Sequence, residues 1–160
     1  MDCQNAASAK LDACRHIFLA KLETGPSLDL RIDVVEGRVQ EEPVSIEIGG
    51  EVMEALLKEA HPIMTREGYD AFRIVFENYL CFSVRDETYA IPEDNEDYSH
   101  RLRKHERSTF LDFVSKSTWA SSIQPGPIVH YAVVCDDHVI DVVCNSEPMI
   151  EHRVVTGDDL

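Results

Sequence analysis

Apolar residues first recur at Leu11, Cys14, Ile17, Phe18 and Leu22, spaced by three and four positions, which predicts one face of an amphipathic helix ended by Gly25-Pro26. Leu28, Leu30, Ile32 and Val34 then alternate with Asp29, Arg31 and Asp33, the period of a half-buried strand. Glu36-Gly37 reads as a turn, and Val44, Ile46 and Ile48 as a second strand that Gly49-Gly50 breaks. Helical spacing returns over Glu51 to Ala60 and stops at His61-Pro62. Phe72, Ile74 and Phe76 alternate, Glu77-Asn78 is turn chemistry, and Leu80, Phe82 and Val84 alternate again, which predicts an antiparallel hairpin.

Beyond it, Ile91 to Tyr98 is an acidic loop and His100 to Arg107 a basic cluster. Phe110, Leu111, Phe113 and Val114 mark a helix starting near Ser108, and Ser121 to Pro127 is loop-rich. Val129 to Cys135 and His138 to Cys144 form a second hairpin around Asp136-Asp137, with Val133, Ile140 and Val142 on one face and Val134, Val139 and Val143 on the other. Both faces being apolar, this hairpin is expected inside a sheet covered on both sides. Without a repeat or a break in composition, residues 1–160 are expected to form one α+β domain with a mainly antiparallel sheet and about three helices.

Charge changes the picture most. The chain carries 30 Asp+Glu against 15 Lys+Arg, a formal net of −15 in 160 residues, whereas a small domain needs only roughly 2–8 units to stay dispersed. Glu23 to Glu59 holds ten acids and three bases, Asp86 to Asp97 six acids and no base, and Asp136 to the end seven acids and one base. Such a surface repels nucleic acid and anionic membranes and speeds encounter with a basic protein. Hydrophobic residues still make up 44%, so the acidity is not the mark of a disordered chain. The start Met1-Asp2-Cys3-Gln4, without a basic stretch followed by an apolar one, leads to the expectation of no export signal, and no apolar run is long enough to span a membrane as a helix. The odd number of scattered cysteines then reads as reduced thiols in the cytoplasm.

Several residues invite chemistry. Cys135, His138 and Cys144 suggest a metal, but in a two-residue-turn register Cys144 stands roughly 20 Å along the face from Cys135, at about 3.3 Å per residue. Zinc needs its ligands about 2.0–2.3 Å away, so no metal and no cofactor are expected. His130 and Asp141 fall on the opposite face as diagonal neighbours within hydrogen-bond reach. A His opening a strand and an Asp in the next strand resemble the His–Asp half of papain-like and transglutaminase-like sites. In those families an earlier Cys at a helix N-terminus is the nucleophile. Cys14 is expected in mid-helix and Cys81 inside a strand, so a structural His–Asp pair is the plainer reading. The acids from Asp86 to Asp97 lack the glycine of a calcium loop, and Arg101, Arg103, Lys104 and Arg107 are expected to neutralise the acidic loop beside them.

Two blocks, Phe72 to Ala90 (FRIVFENYLCFSVRDETYA) and Val129 to Val143 (VHYAVVCDDHVIDVV), resemble small bacterial immunity proteins of polymorphic and contact-dependent-inhibition toxin systems. That resemblance implies a cytoplasmic protein that neutralises a toxin by binding it. It agrees with the charge, which favours an inhibitor that occludes a basic protein partner, such as a nuclease toxin domain, without catalysis, nucleic acid or membrane. The partner is expected at Asp86, Glu87, Tyr89, Glu93, Asp94, Glu96, Asp97 and Tyr98, an apolar centre in a charged rim. Tyr79 and Trp119 are further candidate anchors, though packing accounts for them more readily. The alternatives are a small cysteine-dependent hydrolase or transferase using His130 and Asp141, and a regulatory binding module with no toxin.

Overall fold

Two antiparallel sheets share one apolar core in the computed structural model, which describes residues 3–42, 61–94 and 96–160. The elements are α1 (Cys3–Ala13), β1 (His16–Thr24), β2 (Leu30–Val39), β3 (Ile63–Met64), β4 (Asp70–Phe76), β5 (Cys81–Asp86), β6 (Leu102–His105), α2 (Thr109–Ser117), β7 (Val129–Val134), β8 (His138–Cys144) and β9 (Met149–Val154). One sheet runs β1-β2-β4-β9, with β3 beside the end of β2, and the other runs β5-β8-β7-β6. Leu30, Ile32, Val34, Phe72, Ile74, Phe76 and Ile150 from the first meet Tyr131, Val133, Ile140 and Val142 from the second, and α1 adds Ala7 and Leu11. The Phe76 and Tyr131 rings meet with centroids 5.9 Å apart. Burying each large side chain contributes roughly 1.5–3 kcal/mol.

The α+β class holds, with two α-helices among the described residues rather than three. The expected Val44–Ile48 strand and Glu51–Ala60 helix lie outside those residues. The first expected helix is a correction: α1 ends at Ala13 and His16–Thr24 is a strand paired with β2 along its length. A β-bulge between Leu19 and Lys21 explains the misleading pattern. It inserts Ala20, so the residues paired on the inner face are Leu19 with Val34 and then Leu22 with Ile32, three positions apart. An interrupted alternation thus imitates helical spacing.

Glu36-Gly37 is likewise no turn but lies inside β2. Gly37 is needed because a Cβ there would fall 2.4 Å from Phe18 Cε2. The Phe72–Phe76 and Leu80–Val84 strands exist but form no hairpin. β4 is already flanked by β2 and β9, so the chain turns through Asn78, at φ 51°, and enters the other sheet, where β5 pairs with β8. The mainly antiparallel sheet is therefore two sheets. The helix from Ser108 and the Val129–Cys144 hairpin stand as read: Val134 pairs with Val139 across Asp136-Asp137, and Val133, Ile140 and Val142 are fully buried.

Candidate functional site

Strand alternation gives the second sheet an inner face on the core and an outer face of different character. Ser83 and Asp141 are paired across β5 and β8, Asp141 and Ala132 across β8 and β7, and His130 and His105 across β7 and β6. Paired residues share a face, so Ser83, Arg85, Asp141, His130, Arg103 and His105 form a polar row pointing away from the core. α2 covers one end of that row through Leu111 and Val114, which pack with Val143. The segment after β5, beginning with a short 3₁₀ turn at Glu87–Tyr89, crosses the other. Between this loop and the sheet lies a cavity of about 440 Å³, lined by Arg85, Asp141, His130 and His105 below and by Glu96 and Tyr98 above.

The hydrogen bond expected between His130 and Asp141 is present, and both side chains are 2% exposed. His130 Nε2 stands 3.0 Å from Asp141 Oδ1, and His130 Nδ1 stands 2.8 Å from Ser108 Oγ. Arg85 grips the same carboxylate with two bonds, Nε to Oδ2 at 2.9 Å and Nη2 to Oδ1 at 3.0 Å, and Ser83 Oγ donates at 3.2 Å. Burial alone would raise the Asp141 pKa, but the bonds from His130 and Arg85 outweigh it and hold the carboxyl below its ordinary value. His105 stacks on His130 with centroids 4.8 Å apart, and burial is the main cause that lowers its pKa. Ser108 also accepts the Leu111 amide at 3.0 Å, as the N-cap of α2. Ser108, Ser83 and Arg85 were absent from the sequence reading of this site. Their only signal is the N-cap position of Ser108, since the pairing of β5 with β8 leaves no local trace.

Among the described residues, no thiol joins this row in an activated state. Cys14 lies just past the end of α1 rather than in mid-helix, and burial, reinforced by Glu36 and Asp70, pushes its thiol up to about 11. Burial raises the thiols of Cys81, Cys135 and Cys144 as well. Cys135 and Cys144 stand at opposite ends of the hairpin, Cys135 bonding to His138 and Cys144 opposite Val129. Among the described residues, Cys14, Glu36 and Asp70 do bring ligand atoms within 4.8 Å of one another. Their carboxylates are already engaged, Glu36 by Arg38 at 2.7 Å and Asp70 by His152 at 2.7 Å.

The acidic loop divides into carboxylates that hold it down and carboxylates that do not. Glu93 accepts the Thr109 amide at 2.9 Å, at the start of α2. Glu96, its side chain 8% exposed, accepts the Glu93 amide at 3.1 Å and pairs with the Arg103 guanidinium. Asp86 caps the 3₁₀ turn through the Thr88 amide, and Asp97 accepts from Ser99. Glu87, Asp94 and Asp97 are exposed. So are Tyr89 (81%), Ile91 (81%) and Tyr98 (68%), with the Arg103 guanidinium 4.8 Å from the Tyr98 ring centroid. Of the basic cluster, Arg103 neutralises this loop as expected, whereas Arg101 pairs with Asp136 at 3.2 Å and Lys104 with Glu147 at 3.5 Å. Tyr79 packs against the core and on Phe82, but Trp119, expected to pack, is fully exposed.

Among the described residues, no helix is long and apolar enough to cross a membrane. No protein-family model matches the chain, and no curated protein or solved structure matches it.

Proposed function

We propose that this protein is an acidic inhibitor of the immunity type, which binds a basic protein and occludes it, the fitting partner being a nuclease toxin domain. The observation that carries the reading is the construction of the loop after β5. Glu93 and Glu96 tie it to α2 and β6, while Tyr89, Ile91 and Tyr98 stand exposed among the exposed carboxylates of Glu87, Asp94 and Asp97. A loop ordered before binding loses less entropy on association, so its exposed apolar groups yield more affinity. An apolar centre within a charged rim is the anatomy of a protein interface. A nuclease that grips phosphates has a basic cleft, and the net −15 steers the inhibitor toward it.

The test is affinity capture on the immobilised full chain from lysate of its native cell at low salt, with a rising salt gradient and identification of the eluted proteins. One basic protein is expected to elute as a saturable partner, and its enzymatic activity is expected to fall when the acidic protein is added. Capture of no basic protein, or of one whose activity is unchanged by stoichiometric addition, would overturn the reading.

A further inference from the structure

We propose that Ser108 is a nucleophile for acyl transfer, with His130 as its general base and Asp141 and Arg85 as the groups that position that base. This activity does not rest on the acidic loop's binding role, although Asp94 of that loop lines a groove beside Ser108. The chain of contacts runs from Ser108 Oγ to His130 Nδ1 at 2.8 Å and from His130 Nε2 to Asp141 Oδ1 at 3.0 Å. An ionised carboxylate is an acceptor only, so His130 Nε2 carries the proton in the neutral ring and Nδ1 is left with a bare lone pair. That lone pair faces the serine hydroxyl, which must therefore donate to it. A base held in one tautomer against a hydroxyl is the arrangement that activates a serine. The Arg85 fork keeps Asp141 ionised and fixes its plane.

Two further observations favour chemistry over a clamp alone. Ser108 stands at the N-cap of α2, where the Leu111 amide occupies one of its lone pairs and leaves the other free to attack. The helix N-terminus also favours the negative charge that develops on reaction. Ser108, itself 7% exposed, further borders an open polar surface groove lined by Lys104, Arg107, Asp94 and Asp112 among others, which brings solvent and a small ester to its edge. A carboxylic ester fits this chemistry. As Ser108 Oγ bonds to the carbonyl carbon, its proton passes to His130 Nδ1 and the C=O electron pair moves onto oxygen. Collapse restores the carbonyl, breaks the bond to the alcohol oxygen and returns the proton to the departing alcohol. Water then attacks the acyl-serine by the same route, giving the carboxylic acid and free Ser108.

The test treats the intact, folded chain with an alkyl fluorophosphonate, which transfers its phosphonyl group to an activated serine with loss of fluoride, and maps the adduct by peptide mass. One adduct per chain is expected, on Ser108. Ser108→Asn retains a good N-cap residue but no hydroxyl, and it is expected to lose at least tenfold in labelling and in hydrolysis of p-nitrophenyl acetate. Ser108→Cys, which keeps a nucleophile at that point, is expected to alkylate with iodoacetamide at least tenfold faster than the native thiols. No adduct on Ser108 in the folded wild type overturns the proposal, even if Ser108→Ala lowers the melting temperature, because the serine would then be a cap and clamp only. Alkylation of Ser108→Cys no faster than that of the native thiols would overturn it as well.

Discussion

Burying Asp141 beside His130 removes two ionisable groups from water, a cost that Arg85, Ser83 and Ser108 offset by supplying hydrogen bonds. Removing one member therefore leaves the others unsatisfied inside the protein. Asp141→Ala is expected to destabilise by about 1–3 kcal/mol in urea unfolding, the range for leaving a buried donor unsatisfied, since the Arg85 side chain is partly exposed and can turn to water; a loss under about half a kcal/mol would mean that water already solvates this row. The same carboxyl makes stability depend on pH. Its pKa is lower in the folded than in the unfolded chain, so its contribution is complete above the ordinary value of about 4 and disappears as pH falls through the folded value. Between about pH 5 and pH 2 the wild type is expected to lose more stability than Asp141→Asn. Parallel losses in thermal melts of the two proteins would contradict this.

At the scale of elements, the Val129–Cys144 hairpin is the centre of the second sheet, with β5 on one side and β6 on the other. Ile140 is fully buried on its inner face, and Ile140→Ala is expected to cost about 2–5 kcal/mol by chemical denaturation; a cost below about half a kcal/mol would place it on an exposed edge. This hairpin and α2 were legible in the sequence because their determinants are local: strict alternation around a two-residue turn, and a serine cap before an apolar stripe. The His130–Asp141 pair was legible for the same reason, following from the register of one hairpin. β1 was not, because the bulge at Ala20 disguised a strand as a helix. The separation of β4 from β5 was not, because it depends on β9, almost eighty residues further on in sequence, taking the free edge of β4. Ser108 and Arg85 were missed as partners of the pair because they reach it from elements whose placement is non-local.

For the whole molecule, the excess of carboxylates is a long-range field, and the loop after β5 is where that field meets exposed apolar groups. The division among its acids determines how the interface is probed. Reversing Glu93 or Glu96 would untie the loop from Thr109 or Arg103 and mix a folding effect with a binding effect. Tyr98→Ala removes an exposed ring and is expected to speed dissociation from the captured partner roughly tenfold or more, as loss of a hot-spot aromatic of about 2 kcal/mol would. An unchanged dissociation rate would take Tyr98 out of the interface. The most direct measurement is the association rate of the captured basic partner as a function of ionic strength, for the wild type and for the double variant Glu87→Lys, Asp94→Lys. The wild-type rate is expected to fall steeply as salt rises, and the double variant to associate more slowly with a flatter dependence, at unchanged thermal stability. Equal rates and equal salt dependence for the two proteins would contradict the assignment of this loop as the surface that meets the partner.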